Sequence, residues 1–137
     1  MKKIRISFYA IVLSLCVIFG TSAVPVVVHA EDTVVDSRMT YILSYTTDLS
    51  ITSTGVATIT GNVRGKSGVT STYIKCTLQM SVGGGWVDVK SWEASNTSPG
   101  STISETYQLS SRGTYRVDMV CRANTEEKTG TSAYRTY

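Results

Sequence analysis

Tyr73-Ile-Lys-Cys-Thr-Leu-Gln-Met80, YIKCTLQM, is the stretch on which the fold turns. Ile74, Cys76, Leu78 and Met80 fall on one side of an extended chain, and Tyr73, Lys75, Thr77 and Gln79 on the other. A two-residue apolar period describes a β-strand with one face in a core and one in water. A helix would scatter the same apolar residues around its circumference.

The same period recurs on both sides of this stretch. In GTYRVDMVCRA (113–123), Tyr115, Val117, Met119, Cys121 and Ala123 share a face; Thr114, Arg116, Asp118 and Arg122 lie opposite. Leu49 and Ile51 align in DLSIT, and Ala57, Ile59 and Val63 in VATITGNVRG. Ile103, Tyr107 and Leu109 align in TISETYQL, with Glu105 on the same apolar side. Glycine-containing or proline-containing turns separate the runs at 53–55, 64–68, 83–85, 96–100 and 112–113. With WVDVKSW (86–92) and a last run near SAYRT (132–136), this makes seven strands. Seven short strands with frequent turns and no helical period predict an all-β fold, a single antiparallel seven-stranded sandwich of immunoglobulin or fibronectin type.

The first thirty residues read differently. Lys2, Lys3 and Arg5 precede an apolar run from Phe8 to Gly20, and the segment ends VHA with Val28 and Ala30 as small residues two apart. That is the layout of a secretory signal peptide, helical through its apolar run. Cleavage is expected after Ala30, with a cut after Ala23 as the alternative. A retained anchor is the rival reading, because 4–28 is long enough to span a bilayer, but Pro25 and Gly20-Thr21-Ser22 interrupt it. Lipidation at Cys16 is disfavoured by the bulky Leu15 before it. The expected organisation is a signal peptide over 1–30, a flexible lead-in over 31–39 and the β-sandwich over 40–137.

Export changes the charge. The whole chain carries 13 basic and 10 acidic residues, net +3. Removing Lys2, Lys3 and Arg5 leaves ten of each sign, so the basic excess is no argument for nucleic acid. The membrane is met only through the signal peptide. The sole histidine, His29, and one cysteine of three leave with it.

Cys76 and Cys121 remain, with 44 residues between them, each on the apolar side of its strand. An even count in an exported chain predicts a disulfide. The two cysteines sit on the third and sixth strands, neighbours in one sheet of such a sandwich. Closing that loop is worth about 4 kcal/mol in the chain-entropy account. Two free buried thiols are the alternative.

Catalytic chemistry finds little to work with. Serine and cysteine hydrolases need a base beside the nucleophile, usually histidine, and the exported part has none. Neither CxxC nor HxxxH occurs, and Glu126-Glu127 lacks the spacing of a calcium loop and reads as a solvated hairpin tip. Asp88, Glu93, Glu105 and Asp118 are carboxylates available to a glycosidase, but a domain of about 107 residues has little material for a deep cleft. Glu105 reads as an edge-strand residue reaching outward. Asn96-Thr97-Ser98 matches a glycosylation acceptor and reads as a turn. Gly83-Gly84-Gly85 precedes a strand and is no phosphate cradle. No enzyme activity, cofactor or metal is expected.

Trp86 and Trp92 are the candidate ligand contacts. On a regular strand Trp86, Asp88, Lys90 and Trp92 share one face, and Val87, Val89 and Ser91 the other. Burying the tryptophan face would bury a carboxylate and an ammonium. Burying the valine face would leave two exposed tryptophans roughly 20 Å apart, an aromatic platform. In a third arrangement each tryptophan folds over a rim of the sandwich while Asp88 and Lys90 stay wet.

The order LSI, TGVATITGNVRG, LQ, GGGWVDVKSW and GTYRV, followed by a tyrosine-rich end, resembles small secreted proteins of Gram-positive bacteria built on a domain of unknown function. The resemblance spans about 41–137 and rests on Leu78-Gln79, Trp86 to Trp92 and Gly113 to Val117. It implies export and a β-sandwich of immunoglobulin or fibronectin type, and it transfers no site residue. The expected role is a secreted, non-enzymatic interaction module contacting cell-envelope polysaccharide or another extracellular protein. An inert structural or matrix protein is the alternative, and a bacteriocin-like peptide a third reading.

Overall fold

The alternation becomes eight strands in the computed structural model, which describes residues 38–137. They are β1 (Ile42–Ile51), β2 (Val56–Gly65), β3 (Thr72–Val82), β4 (Gly85–Asn96), β5 (Gly100–Gln108), β6 (Thr114–Ala123), β7 (Glu126–Thr131) and β8 (Arg135–Thr136). The smaller sheet has the order β1-β2-β5. The larger has β4-β3-β6-β7, with the two-residue β8 also paired to β6. All pairings are antiparallel. The fold is thus an all-β sandwich, and β4 lies beside β3 rather than beside β5, the fibronectin-like choice within the expected class. The expected signal-peptide helix over 1–30 lies outside the described residues.

Each sheet buries the face that the alternation marks. Leu49, Ala57, Ile59, Val63 and Ile103 from the smaller sheet meet Ile74, Leu78, Val117, Met119 and Ala123 from the larger, all at most 4% exposed. Gly61 belongs to the same inward row, and a Cβ there would collide with the Cys76 sulfur. The glycine is therefore what lets the sheets close over that sulfur. Tyr115 enters the core beside them and donates its hydroxyl to the Ser111 carbonyl at 2.6 Å. This bond across the turn into β6 is the tyrosine corner of sandwich folds.

Turn chemistry sets the register. Gly83 and Gly84, at φ +59° and +83°, form the two-residue β3–β4 hairpin that glycine alone enters without strain. Asn124 sits at φ +50° in the β6–β7 hairpin. Its Oδ1 accepts from the amides of Thr70 and Ser71 at 3.1 and 3.3 Å, tying that hairpin to the approach to β3.

Three expectations need correction. Cys76 and Cys121 are free thiols in this structure, both buried. They do lie on paired strands, but Cys76 is opposite Met119 and Cys121 is opposite Ile74. Such diagonal neighbours are about 7–8 Å apart, beyond the usual 4.4–6.8 Å Cα separation of a disulfide. The sequence put both sulfurs on the right face and strand pair; the register separates them by two residues. Second, Glu126 and Glu127 are not the hairpin tip, which is Asn124-Thr125; they open the strand EEKTGT. At its inward position Gly130, opposite Met119, Tyr45 of β1 fills the space an apolar side chain would take: a Cβ there would meet the Tyr45 ring at 3.3 Å. Third, the lead-in ends earlier than residue 39, since Met39 is 1% exposed and joins the core; residues 31–37 lie outside the described part.

Candidate ligand-contact face

A β-bulge decides the fate of the two tryptophans. Leu78 pairs with Lys90 and Gln79 with Asp88, so Val89 is an extra residue on β4. One inserted residue inverts the alternation beyond it. Trp92 pairs with Cys76 and therefore faces the core, where it is half-buried against Tyr107 of the opposite sheet, ring centres 6.2 Å apart and edge to face. Trp86 pairs with Ser81 and faces outward. The single shared face expected for Trp86, Asp88, Lys90 and Trp92 is not formed, and no two-tryptophan platform exists. Trp92 serves packing; Trp86 is the one left on the outer surface.

Trp86 does not stand alone there. The Arg116 guanidinium lies 4.2 Å from its ring centre, and the Tyr134 ring 5.3 Å away. Arg116 Nε donates to Gln79 Oε1 at 2.9 Å, and Gln79 Nε2 donates to Asp88 Oδ1 at 2.8 Å. The chain Asp88–Gln79–Arg116 thus crosses β4, β3 and β6 and holds the guanidinium against the indole face, a cation–π arrangement. Tyr134 is 62% exposed. At the tip of the same hairpin Val82 and Val87 are 53% and 52% exposed. This end of the larger sheet presents aromatic faces and a fixed row of hydrogen-bonding groups on its outer side, while Val87, opposite the inward-facing Met80, and Val82, two residues on from Met80, project on the other side.

The carboxylates are dispersed. Asp88 is held by Gln79, and Glu93 pairs with Lys75 at 3.5 Å. Asp118 sits on β6 opposite Thr77, while Glu105 is exposed on the edge strand β5 of the other sheet, reaching outward as its position suggests. Glu127 pairs with Arg122 at 2.8 Å. Glu126 accepts the amides of Thr40, Tyr41 and Ile42 at 3.1, 2.6 and 2.8 Å. Both acids of the doubtful calcium position are therefore committed to protein donors. Among the described residues no cluster of three or more His, Cys, Asp or Glu is placed to hold a metal ion. Of the Asn96-Thr97-Ser98 stretch read as a turn, Thr97 and Ser98 lie in the β4–β5 turn, while Asn96 is the last residue of β4, opposite Thr72, and its Nδ2 donates across the turn to the Gly100 carbonyl at 2.9 Å.

Gln79, Arg116 and Tyr134 were not singled out from sequence. Arg116 and Gln79 meet only because β3 and β6 pair in this register. Tyr134 reaches Trp86 only because β8 returns to β6. Comparison with protein-family models, with curated proteins and with solved structures gives no match to this chain.

Proposed function

We propose that this chain is a secreted, non-enzymatic interaction module that contacts a surface polymer or another extracellular protein through the outer face of its larger sheet. The reading rests on the Trp86–Arg116–Tyr134 cluster. An indole held over a guanidinium with a phenol packed against it, beside an amide and a carboxylate of fixed orientation, offers apolar planes for the C–H face of a sugar ring and paired groups for its hydroxyls. Trp86 and Arg116 are also residue types that anchor protein interfaces. Export to the cell surface follows from the N-terminal layout and from the resemblance to secreted Gram-positive proteins.

Tryptophan fluorescence tests it. Isolated Gram-positive cell-wall polysaccharide or envelope protein is expected to shift the emission of the wild-type exported chain. Trp86→Ala abolishes that shift with unchanged far-UV circular dichroism, and Trp92→Phe retains it. No response across a panel of wall polysaccharides and envelope proteins sinks the reading.

A further inference from the structure

The far end of the same outer face holds a groove. It measures about 380 Å³ and lies between the start of β3, the β4–β5 turn and the end of β6, lined among others by Tyr73, Ser95, Asn96, Thr97, Arg122 and Asn124. Its volume falls in the range of small-ligand sites. The Arg122 guanidinium lies 5.3 Å from the centre of the Tyr73 ring and is paired to Glu127, so the groove offers an aromatic ring beside a neutralised cation. Among the described residues no hydrogen bond engages the side chains of Tyr73, Ser95 or Thr97. Hydroxyl and amide groups around one aromatic ring, without net charge, suit a polyhydroxylated neutral ligand.

Tyr73 and Ser81 are on the same face of β3, and Ser81 pairs with Trp86. Eight residues of strand separate the two stations, about 26 Å at roughly 3.3 Å per residue. Between them run the Thr77–Ser91 hydroxyl pair at 2.9 Å and the Lys75–Glu93 ion pair. The face as a whole sets three cations, Lys75, Arg116 and Arg122, among four carboxylates, Asp88, Glu93, Asp118 and Glu127, a near-neutral mixture that disfavours a highly charged polymer. We propose that the groove is a second station for one neutral polysaccharide chain, which lies along the outer face of β3 from the Trp86–Tyr134 cluster to Tyr73 and Arg122. This rests on the binding role given above for the cluster.

Calorimetry with glucose and N-acetylglucosamine oligomers, from disaccharide to octasaccharide, tests the proposal. Affinity of the wild-type exported chain is expected to rise at least about tenfold once an oligomer reaches both stations. Thr97→Arg, at an exposed turn position, fills the groove and flattens that rise while short oligomers still bind. Tyr73→Ala does the same, checked for folding by thermal melting. Trp86→Ala removes the binding of short oligomers. Length-independent affinity, or a rise unaffected by both Thr97→Arg and Tyr73→Ala, overturns the second station and leaves the first intact. Binding by no oligomer, or tighter binding of poly(glycerol phosphate), overturns the neutral-polysaccharide proposal; a retained response to envelope protein would then keep the broader binding role.

Discussion

Glu126 ties the chain entering β1 to the start of β7. Its carboxylate receives three successive amides from the chain entering β1 and so joins the edge of one sheet to the edge of the other. Burial works against its ionisation, but the amides of Ile42, Tyr41 and Thr40, with Lys128 nearby, outweigh it and hold the carboxyl below its ordinary value. A carboxyl whose folded pKa is depressed stabilises the fold fully above its unfolded pKa, about 4.3, and loses that contribution as pH falls through the folded value. Glu126→Gln is expected to lower stability by about 1–2 kcal/mol at neutral pH, discounted for partial exposure. Urea midpoints measured from pH 7 to pH 3 should fall less steeply in the variant than in the wild type. Gly61 is the second residue whose identity the packing fixes. Gly61→Ala pushes a methyl group onto the Cys76 sulfur and is expected to cost about 1–3 kcal/mol. In the double variant Gly61→Ala, Cys76→Ala the new methyl occupies space the sulfur vacates, so the two losses should sum to less than their parts. Additive losses in chemical denaturation would show that the two sites do not touch.

At the scale of elements, the β3–β4 hairpin is where pattern and structure diverge. The bulge at Val89 leaves Val89 half-buried against the core and sends Trp86 outward, while Trp92 remains inward. Alternation is a rule about a regular strand, and a one-residue insertion reverses it without changing composition. WVDVKSW therefore left three arrangements open. The one formed is closest to rim packing, with each tryptophan half-buried at its own place on opposite faces. The turn that launches this hairpin was legible, because Gly83-Gly84 satisfies a backbone that other residues avoid. Gly84→Ala, at φ +83°, is expected to cost about 1–2 kcal/mol. Hydrogen exchange should show the loss concentrated in the amides from Ser81 to Val87; uniform loss across the domain would contradict a local turn effect.

The whole molecule holds together by packing and registry, without the expected covalent link. Both thiols are buried on the sandwich interior, and burial pushes Cys76 up to about 12 and Cys121 up to about 11. Their neutral forms are favoured by folding, so this contribution is complete below the ordinary thiol value and fades as pH rises towards the folded values. Two outcomes follow. Iodoacetamide at pH 8 should leave the native domain unmodified and label both cysteines once it is unfolded. Dithiothreitol should leave the melting temperature unchanged. A drop of several degrees on reduction, with no thiol available in the oxidised unfolded chain, would establish the disulfide after all.

Sequence alone determined the strand class, the inward face of the first, second, third, fifth and sixth strands and the neighbouring positions of the third and sixth. These follow from a two-residue period and from turn residues, which are local properties that the chain carries wherever it folds. It also determined that residues 31–137 hold no histidine. Tertiary structure alone decided the offset of the two cysteines, the opposite faces of Trp86 and Trp92, the strand at 126–131 and the meeting of Arg116 with Trp86. Each of these depends on register, on a bulge or on a side chain borrowed from another strand. Local alternation is blind to a shift of one or two residues, and the distances between strands are set only when both sheets close on a common core.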